Sequence, residues 1–292
     1  MSLTIAVLGG GLMGRPMAMR LKDCGHDVRL YNRTSRKVED LGQRGIQVAG
    51  HPLQAIEGTR VVILMLADAP AVHAVLDLLD DRSVCNGKTV IQMGTISPEQ
   101  SLACERRIAS LGGDYFEAPV LGSLGEAQEG RLLVMVGGRP EQFTDWRGLL
   151  ACFGPQPRHV GVVGQAALVK LALNQLIASH IAALSLSLGL IQRADVSVES
   201  FMGLLRESAL FAPMYEKKLP RLLDRRYDNP NFSARHLLKD IDLCRETAVG
   251  LTLQTGGLDG VRSLVAEAVR RGWGDSDYSA LFEVVSAIPQ KG

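Results

Sequence analysis

The sequence predicts an α/β fold in its N-terminal half, a doubly wound and mostly parallel sheet, joined by one long helix to an all-helical C-terminal half. Two observations carry that prediction. Up to about residue 164, short β-branched runs alternate with stretches of helical spacing, an order that implies parallel strands covered by helices on both faces. Beyond residue 164 the β-rich runs stop and helical spacing takes over. A chain of 292 residues has room for two domains with cores of their own, set here at 1–164 and 165–292.

Taken in order, "TIAVLG", "HDVRLYN", "VVILML" and "KTVIQMG" read as strands, each followed by a helical segment. The apolar runs "YFEAPVLG" and "LLVMVGG" follow, before "WRGLLACFG" and "RHVGVVG". A helix is expected from Gln165 to about Ala194. From Val198 to Ile288 several shorter helices are expected, with breaks at Pro213, Pro220, Pro230 and Gly256-Gly257.

Composition excludes several classes of function. Apolar residues at 46% and charged residues at 22% are ordinary for a soluble globular protein, and a net charge of +1 provides no field for nucleic acid or an anionic membrane. The five cysteines are scattered without a CxxC pair, which suits reduced thiols rather than a disulfide framework. The opening "MSLTIAV" lacks the basic region of a signal peptide, so a cytoplasmic location is expected. The apolar span from Ala166 to Leu190 is interrupted by Lys170, Asn174, Gln175 and His180, which favours a buried helix over a membrane span. No His, Cys and carboxylate cluster has metal-ligand spacing, so no metal is expected.

Gly9, Gly11 and Gly14 form GxGxxG between a strand and a helix. In a dinucleotide site such glycines supply a tight turn, close approach to a pyrophosphate, and close helix–strand packing. The pyrophosphate then lies against the N–H groups and positive dipole end of the helix. Leu12 and Met13 lie within this loop, and Met65-Leu66 end the third strand run beside it. Where an NAD site keeps an acidic residue for the ribose hydroxyls, this chain reads Asn32-Arg33-Thr34, followed by Ser35-Arg36-Lys37. Hydroxyl and cationic donors suit a 2′-phosphate, so NADP(H) is expected over NAD(H); a solvated basic turn without a ligand is the other reading.

Lys170 and Asn174 are four residues apart in "GQAALVKLALNQLIASH", hence on one helix face, among small and apolar neighbours. Such a lysine either snorkels to water or is kept at a site that needs its proton, and spacing alone leaves both open. Asp68 follows a strand and is expected to cap the next helix, or else to border the nicotinamide. His180 reads as a core or interface residue, Glu126 and Glu129 as a solvated face, and Trp273 and Tyr278 as packing or capping residues.

Six segments, "VLGGGLMGRPMA", "MLAD", "MGTISP", "EAPVLGSLGEAQEGRL", "GQAALVKLALNQ" and "FSARHLLKDIDL", stand in the order seen in β-hydroxyacid dehydrogenases, and the chain resembles that family over nearly its whole length. Its nearest likeness is to the glyoxylate/succinic semialdehyde reductase type. The resemblance implies a Rossmann domain for residues 1–164. For residues 165–292 it implies a helical domain that serves substrate binding and dimerisation. It implies hydride transfer between a nicotinamide and a small carbonyl compound or β-hydroxy acid, and a homodimer or homotetramer.

By the same resemblance Lys170 is the general acid/base and Asn174 orients the substrate. Thr95 lies at nicotinamide and substrate, Lys239 reaches the cofactor, and Phe232 and Asp240 border the substrate. The family's substrate loop commonly reads D/E-A-P-V-S-G-G or S-G-S, with the first serine on the substrate carboxylate. Leu121 stands in that place, leaving Gly122 and Ser123 as the donors. A larger or less polar carbonyl substrate then becomes reasonable. Two alternatives remain: an imine reductase, whose group usually lacks the lysine, and an NADPH-binding sensor or scaffold without turnover.

Overall fold

The computed structural model describes residues 2–79 and 84–287. Ile288, the expected end of the last helical stretch, lies outside them. The chain divides into two compact units, residues 1–170 and 171–292.

Among the described residues the first unit has nine strands: β1 (Thr4–Leu8), β2 (Asp27–Tyr31), β3 (Gln47–Ala49), β4 (Val61–Leu64), β5 (Thr89–Gln92), β6 (Asp114–Glu117), β7 (Val120–Leu121), β8 (Leu133–Gly137) and β9 (Arg158–Gly161). Their order is β3-β2-β1-β4-β5-β6-β8-β7, with β9 on β8. Strands β1 to β6 run parallel, β8 is antiparallel to β6 and β7, and β9 is parallel to β8. The order 3-2-1-4-5-6 reverses direction at β1 and β4, and ligands of open α/β sheets bind outside the carboxyl ends of strands at such a point.

The helices α1 (Gly14–Asp23), α2 (Pro52–Ile56), α3 (Ala69–Asp77), α4 (Pro98–Ser110), α5 (Leu124–Glu129) and α6 (Pro140–Leu150) cover this sheet. Alternate strand residues enter separate cores. Ile5, Val7, Val61 and Ile63 pack with Met17 and Leu21 of α1 and Leu149 and Leu150 of α6. Ala6, Leu8, Val62 and Leu64 pack with Val72 and Leu76 of α3 and Cys104 and Ile108 of α4. Burial on both faces explains why these strands read as continuous apolar runs rather than alternating ones. Strand β3 was not expected: three residues, none of them buried, leave almost no periodic signal.

The helix α7 (Gln165–Arg193) is followed by α8 (Val198–Glu207), α9 (Pro213–Asp224), α10 (Ala234–Gly250), α11 (Gly256–Ala268) and α12 (Phe282–Val285). In the second unit Ala178, Ile181, Leu184 and Leu188 of α7 form a buried stripe at helical spacing, against Leu222, Leu237, Ile241, Val265 and Phe282. Pro220 was expected to break a helix, yet it lies inside α9. An interior proline costs about 3 kcal/mol. Burial of Tyr215, Leu219 and Leu222 on the same helix offsets that cost, each apolar side chain contributing roughly 1.5–3 kcal/mol. A buried ion pair, Lys218 Nζ to the Asp277 carboxylate at 2.7 and 2.8 Å, ties α9 to the segment before α12.

Candidate active site

The glycine loop sits where β1 ends and α1 begins. Gly9 has φ +112°, and a Cβ there would stand 2.2 Å from the Met65 carbonyl oxygen. A Cβ on Gly14 would stand 1.8 Å from the Gly9 carbonyl oxygen, so β1, β4 and α1 meet too closely for any side chain. At Gly11 a Cβ would meet nothing within 4 Å, which leaves open space beside the backbone. Leu12 is exposed, while Met13, Met65 and Leu66 are half-buried against the unit's two cores. Packing glycines on either side of an open one fit the cradle of a dinucleotide pyrophosphate.

Asn32 follows β2. Its Oδ1 accepts from the Gly10 N–H at 3.1 Å, and its Nδ2 donates to the Thr34 carbonyl at 2.8 Å. Both ends of the amide therefore brace the glycine loop against the next turn. Arg15 holds that turn from α1, bidentate on Asp40 at 2.8 and 2.6 Å and donating to the Lys37 carbonyl. Arg33 and Thr34 are exposed.

The loop after β6 departs from expectation at Glu126. It is half-buried rather than part of a solvated face, because its carboxylate accepts the Ser123 N–H at 2.9 Å and the Ser123 hydroxyl. Ser123 thus has both donors committed within the chain, a consequence of Glu126 standing three residues on at the start of a helix. Glu129 is exposed and pairs with Arg131. Leu121 is half-buried and pairs across strands with Leu133, and Gly122 adopts φ +143°. Thr95 is half-buried between β5 and α4. Asp68 caps α3, accepting from the Ala71 N–H at 2.8 Å.

On α7, Lys170 is half-buried and Asn174, one turn further on, is buried. Asn174 Nδ2 donates to Asp240 Oδ2 at 2.5 Å, while Asn174 Oδ1 is buried and accepts no hydrogen bond among the described residues. Asp240 is 2% exposed, and its Oδ1 lies 2.8 Å from Lys239 Nζ, an ion pair rather than an aligned hydrogen bond. Three residues expected separately thus form one chain of contacts, Lys239 to Asp240 to Asn174. Asp240 spends its oxygens inside the protein. Phe232 is half-buried, edge-on to Tyr278 at 5.9 Å. His180 meets the Tyr215 hydroxyl at 2.8 Å, and Trp273 stacks edge-on to Tyr227.

One group that sequence reasoning missed is Glu117, a carboxylate 1% exposed at the end of β6. Burial pushes its carboxyl up from the usual range, and hydrogen bonds from the Ser101 hydroxyl and the N–H groups of Ala167, Gly164 and Ala166 pull the other way. Its apolar flanks in "YFEAPV" were the available signal, since an acid in such a run is buried only when paired.

Known proteins agree with this layout. The family model described as the NAD binding domain of 6-phosphogluconate dehydrogenase matches residues 4–164. The model described as the NAD-binding of NADP-dependent 3-hydroxyisobutyrate dehydrogenase matches residues 164–285. This chain belongs to the β-hydroxyacid dehydrogenase family. As a β-hydroxyacid dehydrogenase it is an oxidoreductase that uses a nicotinamide cofactor. Among relatives, glyoxylate/succinic semialdehyde reductase 1 of Arabidopsis thaliana is 30% identical over 97% of this chain and 98% of that protein. The 2-hydroxy-3-oxopropionate reductase of Escherichia coli (strain K12) is 29% identical, covering 98% of each. The solved 3-hydroxyisobutyrate dehydrogenase of Mycobacterium tuberculosis, with L-serine, has a TM-score of 0.88 at 23% identity, covering 98% of this chain and 100% of that one, and so shares its fold.

Proposed function

We propose that this protein is an NADP(H)-preferring reductase of small carbonyl compounds, with Lys170 as the proton donor to the carbonyl oxygen. The observation that carries the reading is the pair Lys170 and Asn174, one turn apart on α7, with Asn174 Oδ1 buried and still able to accept. The bound dinucleotide supplies the hydride. Lys170 as an ammonium delivers the proton in reduction, and as an amine receives it in oxidation. Asn174, held by Asp240, orients the substrate. Lys239 and Thr95 contact the cofactor.

The preference for NADP(H) rests on the end of β2. Asn32 is fully engaged as a brace, no carboxylate stands there to meet ribose hydroxyls, and Arg33 and Thr34 are exposed for a 2′-phosphate. The substrates named for the relatives, glyoxylate and succinic semialdehyde, are the first class to try. A second reading has its own support: Leu121 and the Glu126 carboxylate on Ser123 both disfavour a substrate carboxylate, which turns the preference toward a larger or less polar carbonyl. We place the protein in the cytoplasm. We also propose a homodimer or larger homo-oligomer, because Leu176, Ala183, Leu186 and Leu190 leave an exposed apolar stripe along α7.

The test follows reduced-nicotinamide absorbance with NADPH or NADH, against glyoxylate, succinic semialdehyde and neutral aldehydes. Wild type should favour NADPH. Lys170→Ala should lose about a hundredfold or more in turnover, the scale of general acid–base catalysis. Near-normal turnover in that variant refutes the role of Lys170. Faster reduction of neutral aldehydes than of the two acids selects the second reading.

A further inference from the structure

The first turn of α7 is capped from a distance. The residue before the helix is Gly164, with φ +96° and no side chain to offer. Its usual partners come instead from Glu117, whose Oε1 accepts the Gly164 N–H and the Ala167 N–H, each at 2.9 Å, across 47 and 50 residues. The other carboxylate oxygen accepts the Ser101 hydroxyl, which also meets the Tyr115 hydroxyl at 2.9 Å. One buried side chain therefore joins the end of β6, the first turn of α4 and the first turn of α7. Acceptors at a helix N-terminus satisfy its orphan N–H groups, and negative charge there is favoured by the helix dipole. The seat is tight: a Cβ on Gly137 would stand 2.6 Å from Glu117 Oε1.

This cap bears on chemistry because Lys170 is three residues past Ala167, on the next turn of the same helix. A helix whose first turn frays loses its rotational reference, and a displacement of about 1 Å at a reacting group can cost on the order of a hundredfold in rate. Glu117 sits on a strand hydrogen-bonded into the sheet, beside Gln92 of β5, which is rigid support for such a reference. We propose that Glu117 is a positioning residue for the reaction: by accepting Gly164 and Ala167 it fixes the rotation and axial position of α7, and through them the ammonium of Lys170. The proposal rests on the assignment of Lys170 as the acid/base.

The hydrogen bonds ask for an acceptor, not for charge. Glu117→Gln can keep its oxygen on Gly164 and Ala167 and donate its amide to the Ser101 oxygen, whereas Glu117→Ala leaves the turn uncapped. Full-length wild type, Glu117→Ala, Glu117→Gln, Lys170→Ala and Glu117→Ala/Lys170→Ala would be compared in NADPH oxidation, with glyoxylate and succinic semialdehyde as the probes. Amide hydrogen exchange of residues 164–168 would be followed alongside. Glu117→Ala should lower kcat about tenfold or more with an unchanged KM for NADPH, and should lose protection at those amides. Glu117→Gln should restore most of both, and the double variant should be no slower than Lys170→Ala.

Unchanged kcat or protection in Glu117→Ala overturns the proposal, and so does a further loss in the Lys170→Ala background. Normal turnover by Lys170→Ala, or a wild type inactive on both probes and on neutral aldehydes, instead overturns the underlying functional reading, and the proposal falls with it. Should Glu117→Ala fail to fold, Ser101→Ala removes the anchor of the far oxygen together with the contact to the Tyr115 hydroxyl; it should reduce kcat and protection in parallel, and a change in neither refutes the idea.

Discussion

Asn174 and Asp240 are 66 residues apart in sequence and 2% exposed each, so their 2.5 Å contact should be measurable as a coupling. Asp240→Ala leaves the Asn174 amide N–H group buried without an acceptor, which costs about 1–3 kcal/mol. It also releases Lys239, whose side chain is 23% exposed, and a partly solvated pair of that kind adds no more than about 1 kcal/mol. The single variant should therefore lose about 1–4 kcal/mol of stability. In a double-mutant cycle with Asn174→Ala, the coupling should be about 1.5–3 kcal/mol, the range for a hydrogen bond to a charged group. Urea unfolding reports it well, because the protein has two tryptophans and only Trp273 lies in the helical unit. A Trp146→Phe background makes that residue the sole reporter. Additive losses, with a coupling under about 0.5 kcal/mol, would refute the claim that Asp240 holds Asn174 in place.

Three further outcomes are expected. Gly14→Ala forces a Cβ to 1.8 Å from the Gly9 carbonyl oxygen and should abolish the NADPH fluorescence change, while Gly11→Ala, in open space, should leave the unfolding transition in place and weaken binding alone; equal thermal damage in both would contradict the distinction. Lys218→Met strands Asp277, 0% exposed, with the Ser279 N–H and hydroxyl as its remaining side-chain donors among the described residues, and should destabilise the helical unit by about 3–5 kcal/mol in the same urea assay. The guanidinium groups of Arg270 and Arg271 hold the Glu267 carboxyl down at about 2, so its contribution is present above the ordinary carboxylate range near 4.5 and fades as pH falls toward 2; Glu267→Gln should lower stability slightly at neutral pH and flatten that part of the acid-unfolding curve, the two proteins converging as pH falls toward 2.

Much of the fold was legible because its signals are local. Asp68 with a proline two residues on announced the cap of α3, and the glycines at 9, 11 and 14 announced the turn between β1 and α1. The length of α7 followed from unbroken helical spacing. Lys170 and Asn174 were visible as a pair because helical geometry alone relates residues four apart. Less was legible wherever tertiary packing overruled a local rule. Pro220 reads as a breaker, and only the buried face of α9 explains its place inside the helix. Glu126 is different: it reads as a surface acid although Ser123, three residues before it at a helix start, is a local capping signal that the sequence already shows.

By itself, then, the sequence determined most of the order of strands and helices, though not β3 or the helix that runs through Pro220, together with the dinucleotide loop and the helix that bears Lys170, since each depends on interactions within a few residues. The tertiary structure alone decided which polar groups meet: Glu117 with Gly164 and Ala167, Asn174 with Asp240, and Lys218 with Asp277. Those pairs lie 47 to 66 residues apart, and no local preference specifies them. A polar group driven into the interior by its apolar neighbours must find a partner there, and which partner it finds is set by how strands and helices pack.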